Sequence, residues 1–130
     1  MILLDTHVVV WMASGDPRLS GMAHAAIDNA RKSVRGLAIS DITLFELSLL
    51  FRKKRFELAV EPESFLSEVE RRFVILPITA NIALQAFDLP KGYPNDPVDR
   101  LIGATALVED IPLITADREI RKSRAFVTIW

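Results

Sequence analysis

The sequence predicts an α/β fold in a single domain: a three-layer α/β/α sandwich around a central parallel sheet. Three observations carry that reading. The chain has 130 residues, the size of one ordinary domain. Short apolar runs such as Ile2-Leu3-Leu4 and Leu37-Ala38-Ile39 lack the alternation of a half-exposed sheet. Helical patterns separate these runs, and that order implies parallel strands, right-handed crossovers and helices on both faces.

The elements follow in order. Ile2–Leu4 opens the chain as a buried strand. Asp5 or Thr6 caps a short helix from Thr6 to about Ala13. Ser14-Gly15-Asp16-Pro17 is a loop. Ser20 starts a second helix, apolar at Met22, Ala23, Ala26, Ile27 and Ala30, which ends near Gly36. Leu37–Ile39 is the second strand, and Ser40 or Asp41 caps a helix running to about Arg55. Pro62 opens a helix to about Arg72, and Phe73–Ile78 is a strand ended by proline. Ala80–Phe87 is a short helix. Asp88–Asn95, with two prolines and a glycine, is a loop. Asp96-Pro97 starts a helix to about Glu109, with proline at the favoured first position. Leu113–Thr115 is a strand, Asp117–Lys122 a short helix and Phe126–Ile129 the last strand. No repeat, low-complexity segment or linker divides the chain.

Composition narrows the chemistry. The absence of cysteine excludes disulfides, thiolate metal sites and cysteine nucleophiles. A net charge of −1 argues against coating nucleic acid by bulk electrostatics. The apolar start lacks a cationic leader and is interrupted by Asp5 and His7. No stretch approaches the ~18 apolar residues of a membrane span. The expectation is a cytoplasmic protein without membrane association.

In a parallel α/β sheet, ligands gather outside the carboxyl ends of the strands. Asp5 follows the first strand directly, and Asp117 follows Thr115 after one alanine. Each is also a natural helix cap. Glu46 is harder to explain by local structure. At about 100° per residue it lies about 40° from Ile42, 60° from Leu49 and 40° from Leu50. With Leu44, Leu47 and Phe51 also apolar, the helix reads as mostly buried. A carboxylate there needs a cation, an arginine partner or a route to the sheet edge.

Asp96 and Asp99 open one helix, where a cap and a first-turn acid are ordinary. Asp99 also shares a face with Ile102, Gly103 and Ala106, the face turned to the sheet. The small Gly103 and Ala106 would let the helix backbone approach closely. Carboxylates converging at one edge raise each other's pKa, and a hard divalent cation such as Mg²⁺ or Mn²⁺ resolves the conflict. Such a site can activate water and stabilise a phosphodiester transition state. With only His7 and His24, a helical zinc motif is excluded. His24 reads as surface, and His7 as a packed first-turn residue or a substrate contact.

Four segments, in order, resemble the PIN-domain nucleases, and more closely the VapC-type toxins of bacterial toxin–antitoxin pairs. They are Leu4-Asp5-Thr6-His7, Ser40-Asp41-Ile42-Thr43-Leu44-Phe45-Glu46, the run from Asp96 to Ala106, and Leu113-Ile114-Thr115-Ala116-Asp117. The resemblance implies a PIN-like sandwich in which Asp5, Glu46, Asp99 and Asp117 bind Mg²⁺ or Mn²⁺ and carry catalysis. Asp96 matches an additional acid, Thr6 and Thr115 match supporting hydroxyls, and Arg100 follows the motif aspartate. The implied activity is hydrolysis of RNA phosphodiester bonds by metal-activated water. The implied partners are an RNA substrate, a cognate antitoxin and a second copy of the chain. Two positions depart from the pattern. Pro94 stands where a histidine is frequent, and Gly103 where alanine or isoleucine is frequent.

Arg52, Lys53, Lys54 and Arg55 end the Glu46 helix, and Arg118, Arg121, Lys122 and Arg124 follow Asp117. Both clusters offer a salt-dependent RNA path, and both equally fit solvated helix ends. Trp11, Phe51 and Trp130 are candidates for base stacking, an antitoxin groove or the core. Two other functions compete with the toxin. One is an RNA-processing or weakly active RNA-binding PIN module. The other is a receiver-like phosphoacceptor, which expects paired acids after the first strand, where Asp5 stands alone.

Overall fold

The computed structural model describes residues 1–54 and 58–130. Its strands are β1 (Ile2–Leu4), β2 (Leu37–Ser40), β3 (Val74–Leu76), β4 (Leu113–Ile114) and β5 (Thr128–Ile129). All pair in parallel, in the order β3-β2-β1-β4-β5. The register sets Ile2 against Leu37 and Leu4 against Ile114. The helices are α1 (Thr6–Ser14), α2 (Gly21–Lys32), α3 (Asp41–Arg52), α4 (Pro62–Arg72), α5 (Ala80–Gln85), α6 (Pro97–Glu109) and α7 (Arg118–Ser123).

Side chains leave a strand on alternate faces, so one short run feeds two cores. Leu4, Leu37, Ile39 and Ile114 pack with α1, α2, α3 and α4. Leu3, Ala38 and Leu113 pack on the other face with Ile102 and Ala106 of α6 and Ile120 of α7. Ile82 and Ala86 extend that layer against Ala104 of α6. The result is the predicted three-layer sandwich.

The strand order decides between two predicted folds. A receiver-type sheet runs 2-1-3-4-5. Here β1 lies between β2 and β4, and the chain winds outward on both sides of it. The switch point therefore falls between β1 and β4, where a crevice opens at the carboxyl ends.

Three expectations need correction. The strands are shorter than predicted: β3 covers Val74–Leu76 within 73–78, and β5 covers Thr128–Ile129 within 126–129. Both are sheet edges, paired on one side; the interior β4 also ends one residue short of the predicted Thr115, at Ile114. Next, α3 is not mostly buried. Phe45 is 61% exposed, and only Thr43 and Leu47 are fully buried. The helix buries one stripe, and its apolar residues outnumber the places on that stripe. Finally, Ser40 stands at the N-cap of α3 but makes no side-chain cap bond. Its hydroxyl is sealed at the end of β2 without a partner. Asp41 instead accepts the Ile78 amide at 3.2 Å and ties α3 to the segment after β3.

Candidate active site

The switch point places Asp5 and Thr115 side by side. Asp5 follows β1 directly and is 3% exposed. Its Oδ1 accepts the Thr6 amide at 2.7 Å, so it caps α1. Its Oδ2 accepts the Thr115 hydroxyl at 2.7 Å. Thr115 Oγ1 in turn accepts the Asp117 amide at 3.1 Å. One buried hydroxyl thus links the acid after β1 to the acid after β4.

His7 completes this group. Its Nε2 accepts the Ala116 amide at 3.2 Å, so that nitrogen carries a lone pair and the neutral ring bears its proton on Nδ1. Nδ1 faces Asp5 Oδ2 at 3.7 Å. The ring also packs on Trp11, which meets Trp130 at 5.6 Å and lies under the Arg18 guanidinium. His7 is therefore a bridge from the first turn of α1 to the turn after β4, and the role comes from Ala116, 109 residues away. Trp11 and Trp130 pack together beside it, while Phe51 meets Phe65 of α4 in the core.

Asp96 and Asp117 are caps, as local chemistry expects. Asp96 Oδ1 accepts the Val98 and Asp99 amides, and Asp117 Oδ1 accepts those of Glu119 and Ile120. Both also belong to the acid group, because each adds to the field at Asp99. Burial raises Asp99 most, followed by Asp5, Asp96, Glu46 and Asp117, and its pKa reaches about 7. Glu46 is also raised, first by burial and then by Asp5 and Asp96. The Thr6 hydroxyl opposes that shift, and so would a protonated His7. Thr6 Oγ1 falls short of full hydrogen-bond geometry and is otherwise a buried oxygen without a partner. The five predicted acids thus share one electrostatic site.

Tyr93 was not predicted to belong here. It is the chain's one tyrosine, buried in the 88–95 loop, and its hydroxyl donates to the Asp99 carbonyl at 3.0 Å. Burial and the charges of Asp5, Asp99 and Asp117 push its pKa far up, so it stays a donor. It also corrects the reading of Gly103. The space left by that glycine is filled by the Tyr93 side chain and Phe126, not by a closer backbone. The only hint in the sequence was a lone aromatic inside a proline-bounded loop.

Other predicted residues lie apart. Arg100 turns away from the acids: its Nη1 donates to the Ala86 carbonyl at 2.9 Å, and Nη2 reaches Asn95 Oδ1 at 3.5 Å. Arg52, Lys53 and Lys54 are exposed at the far end of α3, roughly 9 Å or more of helix beyond Glu46. Arg55 lies outside the described residues. Arg118 is exposed next to Asp117. A groove of about 440 Å³ between α1, α2 and α4, lined by Val9, Met12, Phe65 and Val69, contains none of the five acids.

The donor set is oxygen-rich and suits a hard divalent cation. Among the described residues, no three acid or histidine side chains form a ready cage for an ion. Mg²⁺ tolerates such spacing, since it keeps several waters and uses one or two carboxylates. The observations that fit such an ion are the mutual repulsion at Asp99 and the buried Thr6 hydroxyl, which lies towards Glu46 without a full hydrogen bond.

Known proteins resemble this chain over nearly its whole length. The PIN domain family matches residues 2–125. Ribonuclease VapC22 of Mycobacterium tuberculosis is 38% identical over 131 aligned residues, covering 99% of this chain and 98% of that protein. A toxin–antitoxin complex from Klebsiella pneumoniae superposes with a TM-score of 0.71 at 25% identity, over 98% of this chain and 97% of that one. VapBC2 from Rickettsia felis, bound to a DNA fragment from its promoter, superposes with a TM-score of 0.72 at 21% identity over the same shares. This chain belongs to the PIN-domain family, as a homologue of a VapC ribonuclease.

Proposed function

We propose that the protein is a metal-dependent endoribonuclease and the toxin of a VapBC-type toxin–antitoxin pair. The carrying observation is the gathering of Asp5, Glu46, Asp96 and Asp117 around a half-buried Asp99, whose pKa is raised to about 7 by burial first and by those four charges after it. The acids Asp5, Glu46, Asp99 and Asp117 would hold Mg²⁺ or Mn²⁺, with Asp96 beside them. A bound ion of this kind supplies charge neutralisation at the phosphate and lowers the pKa of water.

The chain's own residues supply the rest. Thr115 and the Thr6 amide orient both oxygens of Asp5. Tyr93 seats the first turn of α6 and with it Asp99. His7 locks the turn that presents Asp117. The antitoxin partner is inferred from the relatives, one of which is solved as a toxin–antitoxin complex. A homodimer is proposed on the family pattern, and exposed Phe45, Leu84 and Phe87 offer apolar surface for such contacts. No helix among the described residues is long and apolar enough to cross a membrane. We place the protein in the cytoplasm with its RNA substrate.

Sequencing of RNA ends after controlled expression tests the activity. New ends should appear with the parent chain and vanish with Asp5→Asn or Asp99→Asn, both still folded. Undiminished cleavage by both variants would sink the assignment.

A further inference from the structure

We propose that α7 carries a phosphate-binding subsite for the RNA strand beside the acids. The proposal rests on the ribonuclease reading and places part of the substrate backbone. A shallow, open depression of about 410 Å³ is lined by Arg118, Arg121, Lys122 and Arg124. Helical spacing explains three of them, since positions 118, 121 and 122 share one face. Arg124 joins through the backbone. It ends α7 in a left-handed conformation, φ 52°, that turns the chain.

Little inside the protein neutralises this surface. Lys122 meets Glu119 at 3.7 Å. Among the described residues, Arg118, Arg121 and Arg124 form no ion pair. Arg121 Nη2 makes a long bond of 3.4 Å to the Ala116 carbonyl, and its Nε is buried without a partner. Crowded cations of this kind are relieved by a polyanion, and arginine forks match phosphate oxygens.

Position selects the anion. Arg118 follows Asp117 directly, and the Arg121 amide bonds the Asp117 carbonyl at 3.1 Å. One helical turn therefore carries a site acid at its cap and cations on its flank. A phosphodiester strand reaching the acids meets repulsion there and needs cations next to them. Among the described residues no aromatic ring lines it, so it suits the backbone of the strand rather than its bases.

The test is binding of a labelled single-stranded RNA in EDTA, read by anisotropy across a salt series. EDTA removes cleavage from the measurement. The variant is Arg118→Gln/Lys122→Gln/Arg124→Gln, with Arg121 kept because it holds the Ala116 carbonyl. Its Kd should rise roughly ten-fold or more, and the salt slope should fall by about 2, at about 0.7 per phosphate contact. Thermal melting should stay near the parent. Arg118→Lys/Arg124→Lys keeps the charge and should keep the slope, which separates charge loss from misfolding. If the parent binds RNA and the Gln variant binds with the same Kd and slope, the subsite is overturned while the ribonuclease reading stands. If the parent binds no RNA either in EDTA or with Ca²⁺ in place of the catalytic ion, the subsite is overturned, while new RNA ends on controlled expression decide the ribonuclease reading separately. Parental RNA binding with lost polyglutamate binding would assign the surface to an acidic protein segment and overturn the proposal.

Discussion

The Tyr93 side chain occupies the place that a side chain on residue 103 would need. A Cβ there would stand 2.7 Å from the Tyr93 Cζ, and the hydroxyl closer still. The same hydroxyl bonds the Asp99 carbonyl one turn earlier on α6. Glycine at 103 and tyrosine at 93 are thus one device, and it fixes the turn that bears Asp99. Gly103→Ala should cost about 1–3 kcal/mol, the range for overfilling a packed interior. Tyr93→Phe added to it should recover little, because the ring carbon still clashes. Tyr93→Leu added instead should recover part of the loss. Urea unfolding of the single and double variants decides. Full additivity of Gly103→Ala and Tyr93→Leu would disprove the coupling.

Asp99 makes the metal-free protein sensitive to pH. Its folded pKa is raised from 3.8 to about 7, by burial first and then by its acidic neighbours. A raised carboxyl pKa means the folded state holds the proton more tightly than the unfolded chain. Below about pH 4 both states are protonated and no penalty exists. The penalty grows between about pH 4 and 7 and is complete above 7. At about 1.4 kcal/mol per pH decade it reaches up to about 4 kcal/mol, less whatever water screens at this half-buried site. Asp99→Asn should therefore melt higher than the parent at pH 8 without metal, and the gap should close towards pH 4. Mn²⁺ at pH 8 should raise the parent's Tm far more than the variant's. An equal gap at both pH values would remove the repulsion argument.

These two residues also mark what was readable in the sequence. Asp5, Asp99 and Asp117 were legible because a strand end or a helix start dictates where the next side chain goes. Glu46 was legible from its angle within an apolar sector. Tyr93 was not, because a loop has no period and nothing in the local sequence says that residue 103 must leave room for it. The role of His7 was hidden for a different reason. Its partner amide belongs to Ala116, and only the β1–β4 pairing brings the two together. Ser40, one of the two caps the sequence offers, does take the N-cap position, but burial at the end of β2, not residue type, decides what its hydroxyl can reach.

Thr115 links the acids that follow β1 and β4. Its hydroxyl donates to Asp5 Oδ2 and accepts the Asp117 amide. Thr115→Val keeps the shape and removes both bonds. It leaves a buried carboxylate oxygen and a backbone amide short of partners. The cost should be about 1–3 kcal/mol in urea unfolding. Thr115→Ser keeps the hydroxyl and should recover most of it. Mn²⁺ affinity measured by calorimetry should fall in the valine variant and hold in the serine variant. Equal affinity in both would show that the bond stabilises the fold without orienting Asp5.

Arg100 follows the motif aspartate, yet its guanidinium faces away from the acids. It donates to the Ala86 carbonyl at the end of α5 and lies 5.9 Å from the Tyr93 ring centre. That carbonyl closes a short helix, where an unpaired group needs a donor. Arg100 therefore ties α5 to α6 and acts on the site at most through Tyr93. Arg100→Gln should lower stability by about 1 kcal/mol, the scale of one charge-assisted hydrogen bond partly replaced by water. It should leave Mn²⁺ affinity within about two-fold of the parent, a difference below about 0.4 kcal/mol. Asp99→Asn, measured alongside, should lose far more affinity. A comparable loss in Arg100→Gln would place the arginine in the site after all.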